Sequence, residues 1–253
     1  MATSNQVAVK SQKRRSLAFT NFLRAANFGK IYLIMAVVLS LVISILLTSV
    51  SRVAVTGTNA TGANAASSIL SELPVLYLPI FTVTGSFGSL MIFVSDKDKG
   101  VYEYLIAYGV NPSKIFWSIV EASVGLVSVV LAISVPFNLG FALAFGSVST
   151  TYLELLIFYV IPISYTVTIF VSMIGMIWSS LAVRRTGINS PVGVIAIIGM
   201  APMLLVFLVA IALRPADIIL FAGAVSLALF VAVGVMIRVS STKLVRERFL
   251  SNA

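Results

Sequence analysis

The chain has 253 residues, 59% of them hydrophobic and only 10% charged, with a formal net charge of +9. A soluble domain carries roughly a quarter charged residues, so a lipid bilayer rather than water must solvate most of this chain. Cysteine and histidine are both absent, which excludes disulfides, thiol nucleophiles, imidazole acid–base catalysis and the usual zinc ligands.

Residues 1–16 are polar and basic, with no short apolar core and no small-residue cleavage site after it. No cleaved signal is therefore expected. Phe19, Phe22, Leu23 and Ala26 then share one helical face, interleaved with Thr20, Asn21, Arg24 and Asn27. This predicts an amphipathic helix lying in the membrane interface, with Arg14 and Arg15 near anionic headgroups. Such a helix serves either as a basic flank for the first span or as a contact for a partner.

Six apolar runs follow, at 31–50, 73–94, 115–143, 153–182, 191–213 and 217–237. A hydrocarbon core of about 30 Å takes about 20 helical residues, so the third and fourth runs exceed a simple crossing. Each holds a proline, Pro136 and Pro162, where a kink or a partial re-entry is expected. Residues 136–141 read alternatively as a short interfacial helix. The largest connection on the opposite side, 51–72, is small, polar and low in complexity, and a mobile loop is expected there. It carries the chain's only glycosylation sequon, Asn59-Ala60-Thr61, a triplet common enough to arise by chance.

Charge orients the spans. Of the 17 basic residues, 15 flank the spans on one side, and only Arg52 and Arg214 fall on the other. The positive-inside rule places the richer side in the cytoplasm, with both termini there. An even number of crossings follows.

The segment between spans two and three is the most informative. Val101, Tyr104, Leu105 and Tyr108 recur at i, i+3, i+4 and i+7, the spacing of one helical face. Asp96 and Asp98 fall at the N-terminal end of this expected helix, where the helix dipole favours anions. Gly109 is placed to stop it, and Asn111-Pro112 makes a turn before span three. A short helix with an apolar face outside the membrane either docks a soluble partner or lies on lipid.

The residues Asp96, Asp98, Gly100, Glu103 and Leu105, followed by Gly109 and Asn111-Pro112-Ser113-Lys114, resemble the inner loop of the type 2 ABC exporter permease family. Its members carry acidic–x–(acidic or basic)–x–Gly–x–x–Glu–x–Leu after span two, then a turn and a polar patch. The basic segment 243–250 is similar to the family's cytoplasmic tail. Two departures are Gly109, where proline is common, and the very short connection at Arg214. The resemblance implies two permease domains enclosing a path across the membrane. Each would dock a separate ATP-binding subunit, which would hold the ATP and Mg²⁺, through a coupling helix at about 97–108. Asp98, Gly100, Val101, Glu103, Tyr104, Leu105 and Tyr108 would build that helix. Tyr104, Leu105 and Tyr108 would be its docking knobs, and Glu103 would fix the helix through a hydrogen bond or an ion pair.

The chain has no Gly-x-x-x-x-Gly-Lys loop of its own: Gly29-Lys30 follows Arg24 where glycine is required. Glu121 is the acid deepest inside a predicted span. Either it caps or pairs with Arg184 or Arg185, or it contacts substrate. Small-residue stripes at Ser40, Ser44 and Thr48, at Gly85 and Ser89, and at Gly175 and Ser179 permit close helix packing. The expected protein is an all-α, multi-pass cell-membrane permease domain over 1–253. It has six transmembrane helices, an N-terminal interfacial helix within 1–30, a cytoplasmic coupling helix between spans two and three, and a tail at 238–253. Expected partners are an ABC ATP-binding subunit, a second permease copy or homologue and the lipid membrane, with no nucleic acid. No catalytic residue, metal or cofactor is assigned to the chain itself. The alternative is a membrane scaffold that recruits a cytosolic partner without transport.

Overall fold

A computed structural model of the protein describes residues 16–57, 63–144, 149–179, 201, 203–206, 208–209 and 215–239. All secondary structure among them is helical. In chain order the elements are α1 (Leu17–Phe28), α2 (Lys30–Gly57), α3 (Ala63–Gly85), α4 (Phe87–Asp98), α5 (Val101–Ala107), α6 (Pro112–Ala144), α7 (Thr150–Leu155), a π-helical turn (Leu156–Val160), α8 (Ile161–Ser179) and α9 (Pro215–Val239).

Five helical stretches are long and apolar enough to cross a membrane: Lys30–Val50, Glu72–Asp98, Pro112–Ala144, Thr150–Met176 and Asp217–Arg238. Each overlaps a predicted span. The sixth, at 191–213, lies largely outside the described residues, as do the sequon at 59–61, Arg14, Arg15, Arg184, Arg185, Arg214 and the basic tail at 243–250. A helix stands where the interfacial one is expected, as α1. Ser16 caps it, its hydroxyl accepting from the Phe19 N–H at 3.2 Å.

Two expectations need correction. The region 51–72 is not a simple loop: α2 continues to Gly57, and α3 begins at Ala63. The polar composition there hid a helical register continuous with the spans. Pro136 does not end its helix, because α6 runs unbroken through it to Ala144, so 136–141 is no separate interfacial piece. Proline is tolerated in membrane helices where local adjustments take up the freed carbonyl. Pro162 is accommodated differently. The π turn lies just before it, and the Ile161 N–H reaches back five residues to the Leu156 carbonyl. The widened turn relieves the clash a proline ring makes with the preceding turn.

Span two is broken between α3 and α4. At Ser86 the hydroxyl bonds back to the Val83 carbonyl at 2.7 Å, and the Ser86 N–H takes the same oxygen at 3.0 Å. Hydroxyl back-bonding beside Gly85 is a recognised origin of helix kinks.

The core is a cluster drawn from α3, α4, α6, α7, α8 and α9, including Leu76, Leu90, Val127, Tyr159, Ile163 and Ala222. Hydroxyl pairs tie the helices across it. Ser40 bonds Ser134 at 2.7 Å, Thr82 bonds Ser164 at 2.8 Å, and Ser128 bonds Tyr165 at 2.9 Å. Ser172 donates to Ser123 at 2.9 Å, and Ser123 also bonds Ser89, which joins spans two, three and four. Small residues let the backbones approach this closely. A Cβ at Gly175 would fall 2.6 Å from Leu90 Cδ2, and one at Gly85 would fall 2.8 Å from Val130 Cγ2.

Candidate functional site

The segment singled out by sequence folds as α5, a helix of seven residues held in a fixed orientation at both ends. Gly100 precedes it at φ 67° and Gly109 follows it at φ 81°, a left-handed conformation that side-chain-bearing residues adopt only with strain. At the C-terminal end the Gly109 N–H bonds the Ile106 carbonyl at 2.9 Å, and the Val110 N–H bonds the Leu105 carbonyl at 3.0 Å. This paired pattern closes a helix and satisfies its last carbonyls. The Asn111 side chain then accepts from the Ser113 N–H at 3.0 Å and starts α6.

The inward face of α5 differs from the predicted one. Tyr102, not among the residues chosen by spacing, is buried at 4% exposure and stacks on Phe93 with ring centroids 5.3 Å apart. It joins Ile115, Phe116 and Met173 in a second core cluster, against which Leu105, Ile106 and Val110 also pack. Burial pushes the Tyr102 phenol pKa up, and the nearby Asp96 carboxylate, to which its hydroxyl bonds, reinforces the shift. Val101 and Leu105 are half-buried. Tyr104 and Tyr108 point outward, 62% and 71% exposed. Their rings lie 4.5 Å apart, and the Tyr104 hydroxyl donates to that of Tyr108 at 3.1 Å. Two aromatic rings thus form one protruding plate on a rigid mount. Rigid aromatic side chains of this kind are suited to anchor an interface because little rotamer freedom is lost on binding.

Asp96 explains the mount. It lies in the last turn of α4, not on a solvated α5 as the spacing implied, and it is 4% exposed. Arg24 of α1 donates to both of its oxygens, at 2.7 Å and 2.9 Å. One carboxylate therefore joins α1, α4 and, through Tyr102, α5. The same three-way junction is tightened by glycines. A Cβ at Gly29 would lie 2.5 Å from the Gly88 Cα, and one at Gly88 would lie 2.8 Å from the Ala25 carbonyl oxygen. Asn21 of α1 donates to Ser118 of α6 at 2.9 Å, and the Phe22 ring covers Gly125.

The remaining predicted residues fall as follows. Asp98 is exposed at the end of α4, and Glu103 is exposed in the first turn of α5. Glu103 makes no ion pair among the described residues, where Arg24–Asp96 is the one salt bridge. Its place in the first turn suits the helix dipole. Glu121 is exposed on α6 and likewise unpaired among the described residues. It points out of the bundle, which removes it from the interior.

The spans hold a feature that spacing did not suggest. Glu72 is 2% exposed, and one of its carboxyl oxygens has no hydrogen-bond partner among the described residues; the same holds for an oxygen of Asn138, Tyr152 and Tyr159. Heights along the helices can be counted from the Thr82–Ser164 and Ser128–Tyr165 bonds at about 1.5 Å per residue. On that count Glu72, Asn138 and Tyr152 share one level, at the end of the bundle away from α5. Glu72 sits at the very start of its span, where the sequence offered only a boundary. Among the described residues no three acidic side chains converge as metal ligands.

No protein-family model, no curated protein and no solved structure matches this chain.

Proposed function

We propose that this chain is the transmembrane permease subunit of an ATP-driven ABC transporter, working in the export direction. A separate ATP-binding subunit supplies the energy and holds ATP and Mg²⁺. The observation that carries the reading is the α5 plate. Two exposed tyrosines on a helix locked by two left-handed glycines supply a preorganised aromatic surface of the kind that anchors a protein interface. The mount is continuous with the spans: α5 joins α4, the end of span two, directly, and it packs on the start of α6, which is span three. A push on Tyr104 and Tyr108 would therefore reach both spans as a rigid movement. The kink at Ser86 offers a place where span two can bend in response.

In this reading the α5 end of the bundle faces the cytoplasm of the cell, as the basic flanks require, and the expected span at 191–213 completes six crossings. A second permease copy supplies the other wall of the path. Glu121 is consistent with that assembly, since an exposed acid inside a span calls for cover by protein or water. The chain itself is not an enzyme; it contributes the path.

The test is co-expression with an ATP-binding subunit encoded by a neighbouring gene. Tyr104→Ala combined with Tyr108→Ala should abolish co-purification and the stimulation of ATP hydrolysis, while insertion into the membrane stays intact. Co-purification unchanged by the double substitution would remove the docking claim.

A further inference from the structure

At the α5 end, a groove of 420 Å³ runs between α1 and the last turns of α4. Its position is set by the spans: one apolar stretch starts at Lys30, just after α1, and another ends at Asp98. The groove is therefore level with the place where two spans leave the hydrocarbon, which is where phospholipid headgroups lie.

The polar lining carries two donor-only cations, Arg24 and Lys99, beside two side chains that both donate and accept, Asn27 and Ser95. Asp96 also borders it, but its acceptors are used: both oxygens take N–H bonds from Arg24, and the Tyr102 hydroxyl bonds the same carboxylate. Arg24 keeps further N–H groups beyond the two it gives to Asp96, since a guanidinium has five, and its side chain remains 47% exposed. Lys99 is exposed and makes no ion pair among the described residues. The remaining walls are apolar, Phe28 and Ile92. Phe28 is itself 56% exposed, and Ile31, 67% exposed, follows it at the start of α2. Donors at one end and an apolar track at the other match an anionic phosphate carrying acyl chains.

We propose that this groove binds an anionic phosphate, seated there as the headgroup of an anionic phospholipid, with Arg24 and Lys99 on the phosphate oxygens and the acyl chains along Phe28. The bidentate bond to Asp96 holds Arg24 in place, and Lys99 supplies the second charge. Lipid in the groove would brace α1 against α4 from the outside, at the junction that also holds α5.

The full chain, purified in detergent, is titrated with phosphatidylglycerol and, separately, with phosphatidylcholine, and bound lipid is read by native mass spectrometry. Phosphatidylglycerol should bind more tightly. Lys99→Gln should weaken it about fivefold, the usual contribution of one basic side chain at an anionic membrane surface. Lys99 is exposed and makes no ion pair among the described residues, so its replacement does not threaten folding. Lys114→Gln removes the same charge outside the groove and should leave binding unchanged. Inorganic phosphate is then added as competitor. No displacement at millimolar phosphate identifies lipid as the source. Displacement with the same Lys99 dependence keeps the phosphate site but assigns it to a soluble ligand. Equal binding of the two lipids, equal loss in the Lys99 and Lys114 variants, or no loss in either would overturn the proposal.

Discussion

Replacing Arg24 by Gln tests how the junction of α1, α4 and α5 is held. The substitution leaves the Asp96 carboxylate, whose side chain is 6% exposed, with only the Tyr102 hydroxyl as a partner. Breaking a fully buried ion pair by removing one member costs about 3–5 kcal/mol. Arg24 is 47% exposed, so water reaches the vacated side of the carboxylate, and the cost falls to about 2–3 kcal/mol. For a chain of this size that is a drop in Tm of about 4–12 °C. Asp96→Asn, by contrast, keeps an acceptor for Arg24 and removes the charge that needs burial compensation. The double substitution should then be less damaging than the sum of the two singles by about 2 kcal/mol, the signature of direct coupling. Unfolding of the four proteins in detergent, followed by tryptophan fluorescence, gives the cycle. Strict additivity would show that the two residues act independently and that Asp96 is not the link between α1 and α5.

Three further outcomes follow from the same geometry. Gly88→Ala places a Cβ 2.8 Å from the Ala25 carbonyl and 2.9 Å from the Gly29 Cα, both backbone atoms that cannot swing aside; it should cost about 1–3 kcal/mol of stability, measured by thermal unfolding. Tyr102→Ala removes a buried ring and should cost about 3–5 kcal/mol, whereas Tyr104→Ala and Tyr108→Ala should each change stability by less than about 0.5 kcal/mol, in the same assay. Tyr102 also gives a pH dependence: its folded pKa is raised above the unfolded value of about 10, so its contribution is intact below pH 10 and declines as pH rises past it, by up to about 1.4 kcal/mol per unit. Wild type should therefore lose more stability between pH 10 and 11 than Tyr102→Phe does.

Hydropathy revealed five of the six expected spans because lipid demands about 20 apolar residues in sequence, whatever the tertiary contacts. The stops around α5 were equally local, since Gly100, Gly109 and Asn111 act through their own backbone and nearest neighbours. What escaped was non-local. Arg24 and Asp96 are 72 residues apart, and nothing in either flank marks them as partners. Spacing alone turned α5 by about one residue: Val101, Tyr104, Leu105 and Tyr108 fit an apolar stripe, yet Tyr102 is the ring the bundle covers. Three tyrosines on a helix of seven residues and its flank gave two acceptable faces, and the packing of Phe93 and Ile115 decided between them. The resemblance implied a bracing role for Glu103, and its exposed position in the first helical turn suits the helix dipole. Glu72 was invisible for a different reason. It stands at a span boundary, where acids are ordinary, and its burial depends on how α3 meets α6 and α7.

The central claim is that Tyr104 and Tyr108 are gripped by an ATP-binding protein, and photo-crosslinking inside living cells reaches it most directly. A benzophenone amino acid is placed at position 104 or 108, with position 19 on the outward face of α1 as the comparison. Adducts at 104 and 108, but not at 19, should yield peptides of a protein bearing a Gly-x-x-x-x-Gly-Lys loop. Lipid adducts at 104 and 108, or none at all, would contradict the account.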